Sequence, residues 1–141
     1  VSRFVVDACV AIKWVVAEEY SVAALRFAQN DPEMQVPELF FPEAGNVLWK
    51  KVVRGQLDAE DARLALAALL ALKNIESHAM RSLTQHAIEL SLQLGCSVYD
   101  GVYLALAVRE DCPLVTADRK FFNALQNTSL ARQLRWIEAF I

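Results

Sequence analysis

A chain of 141 residues, 55% hydrophobic and 22% charged, is sized for one domain with a sizeable core and is not an intrinsically disordered segment. Its net charge of −3 and pI near 5.4 argue against a basic-surfaced, nonspecific nucleic-acid binder, unless bound cations cancel part of that charge. The longest apolar run, Leu64 to Leu72, has nine residues, far short of the roughly twenty a spanning helix needs.

Asp7 and Lys13 interrupt the apolar N-terminal stretch, so no signal peptide is expected there. Cys9, Cys96 and Cys112 are widely spaced and form no CxxC pair, which argues against a disulfide framework or zinc ribbon and for a reducing cytoplasm.

In chain order, Phe4 to Val6 reads as a short buried strand. Ser21 to Asn30 has a helical pattern that stops at Asn30-Asp31-Pro32, and Gln35-Val36 fits a second short strand before Pro37. Phe41 to Arg54 is expected as a helix with Pro42 in its first turn and Gly55 as its stop. Asp58 caps the next helix, to about Lys73, whose Ala/Leu run is apolar almost all round and points to burial against other helices or a partner subunit. Ala79 to Leu94 carries Leu83, Ala87, Leu90 and Leu94 on one stripe, with Gly95 as its stop. A helix over Val98 to Glu110, a strand over Pro113 to Thr116, a helix over Arg119 to Gln126 and an edge strand over Gln133 to Trp136 complete the chain. This order favours an α/β fold, a parallel sheet flanked by helices, in a single domain spanning 1–141 without repeats or linkers.

Asp7, Glu43, Asp100 and Asp118 lie at the ends of these segments. Each alone has a plain structural explanation: an Asx-turn at Asp7, a dipole-complementing Glu43, N-caps at Asp100 and Asp118. Together they suggest more, because a parallel sheet gathers its strand C-termini on one edge. Converging carboxylates repel one another and call for hard divalent cations, such as Mg²⁺ or Mn²⁺, which prefer oxygen ligands. On the helix starting near Glu43, Asn46, Lys50 and Arg54 follow at three, seven and eleven residues and share its face. That stripe suits a polyanion crossing the site, or is a solvated face. No nucleophile elbow, Walker A loop, G-x-G-x-x-G or zincin helix is present. His78 and His86 are read as surface or packing residues, Cys9 as a small buried residue, and Trp14, Trp49 and Trp136 as core or interface groups.

Four segments carry a resemblance to a known family: Val5-Val6-Asp7-Ala8-Cys9, Pro42 to Leu48 around Glu43 and Asn46, Tyr99-Asp100 to Ala107, and Leu114-Val115-Thr116-Ala117-Asp118-Arg119. In this order and spacing the chain resembles the PIN-domain ribonucleases, and most of all the VapC-type toxins of toxin–antitoxin pairs. The resemblance spans essentially the whole chain. It implies a three-layer α/β/α fold with a central five-stranded parallel sheet. It also implies that Asp7, Glu43, Asp100 and Asp118 form the catalytic, metal-binding set, with Asn46 and Thr116 in support. Lys50, Arg54 and Arg119 are candidate RNA contacts.

Two positions depart from the pattern. Cys9 stands where Ser or Thr is usual, which removes a hydroxyl able to bond a metal-bound water. Gly101 replaces a more common Ala, expected to matter little beyond helix propensity.

The expected activity is Mg²⁺- or Mn²⁺-dependent endoribonuclease cleavage by an activated water, leaving a 5′-phosphate and a 3′-hydroxyl. A homodimer and a cognate antitoxin protein are the implied partners, with the Leu64 to Leu72 helix as candidate contact or core. The alternative is a noncatalytic interaction module on the same scaffold, with the acids acting as caps. A phosphatase of the haloacid-dehalogenase type would need a second aspartate where Cys9 stands.

Overall fold

The computed structural model describes residues 2–140. Five strands form one parallel sheet in the order β3-β2-β1-β4-β5: β1 Arg3–Val6, β2 Glu33–Pro37, β3 Ile75–His78, β4 Leu114–Thr116 and β5 Leu134–Trp136. Seven α-helices connect them: α1 Ala8–Val15, α2 Ser21–Gln29, α3 Phe40–Val53, α4 Ala59–Leu70, α5 Arg81–Leu94, α6 Val98–Arg109 and α7 Arg119–Leu125. Short 3₁₀ turns cover Ala131–Gln133 and Ile137–Phe140.

The strand alternation expected of a two-sided sheet explains the layers. Val5 of β1 and Leu114 of β4 pack with Leu83, Ala87 and Leu90 of α5 and the buried run Val102 to Ala107 of α6. Their neighbours Val6 and Val115 point to the other face, against Val10 of α1 and Ala24 and Phe27 of α2. Farther along, Val36 of β2 packs with Phe40, Ala44 and Leu48 of α3 and Ala65 and Leu69 of α4. The result is the expected α/β/α sandwich.

The chain leaves β1 toward β2 and β3, then returns to the other side of β1 for β4 and β5. Strand order therefore reverses between β1 and β4, where open α/β sheets bind ligands beyond their strand C-termini.

Several expectations need correction. The sequence pattern yields no helix between β1 and α2, yet α1 occupies Ala8–Val15. It also misses β3, a mostly exposed edge strand, and so counts four strands where five exist. α4 is not buried all round: Ala65 and Leu69 face the core, while Leu64 and Leu70 stay about 60% and 57% exposed. Trp49 is likewise exposed.

Gly101 is more than a propensity change. A Cβ there would lie 2.6 Å from the Ala87 carbonyl oxygen and 2.8 Å from the Ser91 hydroxyl, so α5 and α6 approach closely only because this position is glycine. Gly95, at φ 75°, turns the chain between the two helices. Among the described residues no single helix is long and apolar enough to cross a membrane.

Candidate active site

Asp7 follows β1 directly and caps α1, its Oδ1 accepting from the Val10 N–H at 2.9 Å. Asp118 lies two residues beyond β4 and caps α7, accepting from the Phe121 N–H at 3.1 Å. β1 and β4 are neighbours, so these two acids reach the same edge of the sheet from adjacent strands. Thr116, the last residue of β4 and fully buried, links them. Its Oγ1 accepts from the Asp118 N–H at 3.0 Å and makes a long 3.5 Å donation to Asp7 Oδ2.

The other two acids enter on helices. Glu43 lies in the first turn of α3, where Pro42 forfeits no helical hydrogen bond. Asp100 lies in the first turn of α6, but it is not the cap: Ser97 holds that position and accepts from the Asp100 N–H at 3.1 Å. With its backbone bonds met by Ser97, the Asp100 side chain has no capping duty.

The carboxylates sense one another. Burial pushes the Asp7 carboxyl up to about 7, and the nearby charges of Glu43 and Asp100 add to the rise, against the Val10 N–H and Lys13. Burial, then Asp100, raises Glu43, against the hydrogen bond from Tyr103. Asp100 is raised by burial, then by Asp118, against Ser97. These couplings join all four acids into one negative field, with Lys13 the one cation that offsets it at Asp7.

Among the described residues no three His, Cys, Asp or Glu side chains close into a ready-made metal cage. The donor set nevertheless fits a hard divalent cation: it is all oxygen, half-buried at Asp7, Glu43 and Asp100 and exposed at Asp118, and short of compensating positive charge. Asp7, Glu43, Asp100 and Asp118 are the residues that would hold it.

Tyr103 is a site residue that sequence reasoning missed. Its ring is buried in α6, and its hydroxyl donates to Glu43 Oε1 at 2.9 Å. Burial first, then the charges of Glu43 and Asp7, push the phenol upward, so the O–H stays a donor. In sequence it sits inside the apolar run Gly101 to Ala107 and looks like packing.

Cys9 is exposed as a residue, not buried as expected, and occupies the first turn of α1 beside Asp7. Desolvation of the thiol, then Asp7 and Glu43, push it up to about 12, so the sulfur stays protonated at neutral pH.

Asn46, Lys50 and Arg54 are exposed on α3, and the two cations enter no ion pair among the described residues. Arg119 is differently placed: its guanidinium lies 3.8 Å over the Trp136 ring and 4.0 Å from Glu138.

The PIN domain family model matches residues 4–125. A ribonuclease VapC3 of Pyrobaculum aerophilum is 34% identical over 119 residues, covering 84% of this chain and 91% of the relative. A ribonuclease VapC1 of Mycobacterium tuberculosis is 33% identical over 82% of this chain and 86% of its own length. A crystal structure from Pyrobaculum aerophilum shares the fold at a TM-score of 0.70 and 24% identity, over 97% of this chain and 85% of that one. A toxin–antitoxin complex from Klebsiella pneumoniae aligns at a TM-score of 0.62 and 13% identity, over 94% of this chain and 95% of that one. With its parallel sheet, its four strand- and helix-end acids and the family match over residues 4–125, this chain belongs to the PIN-domain family.

Proposed function

We propose that the protein is a divalent-metal-dependent endoribonuclease, the toxin of a toxin–antitoxin pair. The observation that carries this reading is the placement of Asp7 and Asp118 just beyond the adjacent strands β1 and β4, with Glu43 and Asp100 in the first turns of α3 and α6, in a chain whose relatives are named ribonucleases. Mg²⁺ or Mn²⁺, when bound, supplies charge neutralisation at the phosphate and makes water more acidic.

The chain's own residues do the rest. Asp7 and Asp100 are the first candidates for direct ligation, each with one oxygen or the whole carboxylate free of backbone duty. Glu43 and Asp118 would ligate directly or through water, or take the proton that the attacking water loses. Attack in line with the P–O3′ bond adds the water's oxygen to phosphorus as that bond breaks, and the departing 3′-oxygen takes up a proton from solvent to become a hydroxyl. The products carry a 5′-phosphate and a 3′-hydroxyl.

Two further residues hold the acids in place. Thr116 fixes the relative position of Asp7 and Asp118, and Tyr103 fixes one oxygen of Glu43. Asn46 follows Glu43 by one helical turn on α3 and is exposed, with Lys50 and Arg54 farther along to receive the strand. Arg119 reaches the strand only by leaving its Trp136 and Glu138 contacts.

The partners proposed are an antitoxin protein and a second copy of the chain, with α4, whose Leu64 and Leu70 are exposed, as the candidate contact. Light scattering at micromolar concentration tests the dimer. For the chemistry, RNA incubated with the protein is cut in Mn²⁺ and spared after chelation, and the new ends accept ligation as 5′-phosphates. Cleavage that continues in excess EDTA would refute the metal requirement.

A further inference from the structure

We propose that the cleft between the α5–α6 corner and α7 is a subsite for one unpaired nucleotide of the RNA strand, next to the bond that is cut. The inference rests on the ribonuclease reading and adds where the strand lies. Asp100 of α6 and Asp118 of α7 both border this cleft, so an occupant sits beside the acid cluster. A larger cavity of about 530 Å³ between the end of α1 and α4 includes none of the four acids.

The size and lining suit a nucleoside. The cleft holds about 300 Å³, the low end for ligand pockets and room for one base with its sugar rather than a base pair. Leu94, Phe121 and Ala124 supply apolar surface against which a base can lie.

Lys120 borders the same cleft, is exposed, and forms no ion pair among the described residues. Its neighbour Arg119 is already stacked on Trp136 and close to Glu138. Lys120 is therefore the free cation for a phosphate flanking the scissile one. A strand entering here would run from Lys120 past Asp118 and Asp100 toward Glu43, Lys50 and Arg54.

The corner is built before any ligand arrives. Gly95 turns the chain at φ 75°, and the Ser91 hydroxyl lies 2.9 Å from both the Ala87 and Ser97 carbonyl oxygens. The missing Cβ of Gly101 lets α5 rest against α6. A preformed cleft lowers the ordering cost of binding. A paired base cannot enter it, whereas a base splayed from a single strand can.

The test is binding of a fluorescein-labelled, random-sequence single-stranded RNA dodecamer, followed by anisotropy with Ca²⁺ in place of Mg²⁺ to hold back cleavage. Ala124→Phe fills the cleft from an exposed helix position, and Lys120→Ala removes its cation; thermal unfolding checks that both fold. Ala124→Phe is expected to weaken binding roughly five- to a hundredfold, the worth of one seated base; Lys120→Ala is expected to weaken it and to lower the salt slope by about 0.7; and the corresponding duplex should compete poorly. Lys120→Ala decides the matter if Ala124→Phe does not fold. Wild-type affinity in the folded variants, or no RNA binding by the wild type, overturns the subsite. Cleft-dependent binding without cleavage in Mg²⁺ or Mn²⁺ would instead support the subsite and refute the ribonuclease reading.

Discussion

The Tyr103 hydroxyl donates a 2.9 Å hydrogen bond to Glu43 Oε1, joining the core of α6 to the first turn of α3 across 60 residues of chain. The bond consumes one lone pair of one oxygen and leaves the other oxygen free. Tyr103→Phe keeps the ring and its packing but releases that carboxylate. Loss of one hydrogen bond should cost about 0.5–1.5 kcal/mol of stability. Mn²⁺ affinity, measured by titration calorimetry, should fall roughly 10- to 100-fold, as for other partners that orient metal ligands. Unchanged affinity would reduce Tyr103 to a packing residue.

Asp7 gives a pH signature of opposite sign to the usual carboxylate. Its folded value is raised from 3.8 to about 7, so between these values the unfolded chain has lost the proton that the folded chain keeps. The stability held by the neutral carboxyl is complete below pH 3.8 and is lost as pH rises through 7. Asp7→Asn carries no such penalty and still offers an oxygen to the Val10 N–H. In EDTA at pH 8 the variant should therefore be more stable than the wild type by on the order of 1–3 kcal/mol. The gap should close toward pH 4. Mn²⁺ at pH 8 should raise the melting temperature of the wild type and not of the variant. A variant less stable than wild type at pH 8 would contradict this electrostatic picture.

Gly101→Ala tests the α5–α6 contact. Helix propensity alone would favour alanine by about 1 kcal/mol. The new Cβ, however, would stand 2.6 Å from a backbone oxygen that cannot swing away. Overpacking of this kind costs about 1–3 kcal/mol, so the net change in chemical denaturation should be destabilising.

Lys50 and Arg54 are tested by salt. Each neutralised phosphate on a single strand contributes about 0.7 to the slope of log affinity against log salt. Lys50→Ala and Arg54→Ala should each lower the RNA-binding slope by about that amount, with little effect on melting temperature. Equal slopes in both variants would make that face of α3 a solvated stripe.

Much of the fold is legible in the sequence because β1 and β4 hold short apolar runs, β2 ends at Pro37, and the long helices carry caps or glycine stops. α1 escapes because Ala8, Val10, Ala11 and Ile12 follow the apolar β1 with only Asp7 between, and eight residues are too few to establish a period. β3 escapes for the opposite reason: Ile75-Glu76-Ser77-His78 has one apolar residue, and only pairing with β2 makes it a strand.

The acids are legible because a strand-end aspartate has few places to point. Which of them cap helices is not, since Ser97, three residues before Asp100, competes for that duty. Tyr103 is hidden because an aromatic within an apolar run reads as core until its hydroxyl's partner is known. The free Lys120 and the committed Arg119 are adjacent in sequence and separable only through Trp136 and Glu138.

The most direct test of the four-acid centre is cleavage of total single-stranded RNA in Mg²⁺ or Mn²⁺ by the wild type, Asp7→Asn and Asp100→Asn, with the new ends mapped. The wild type should cut at defined positions, leaving 5′-phosphates, and both folded variants should lose at least about 100-fold in rate, as expected when a charge-stabilising group is removed. Full cleavage by either variant with unchanged metal dependence would contradict the assignment.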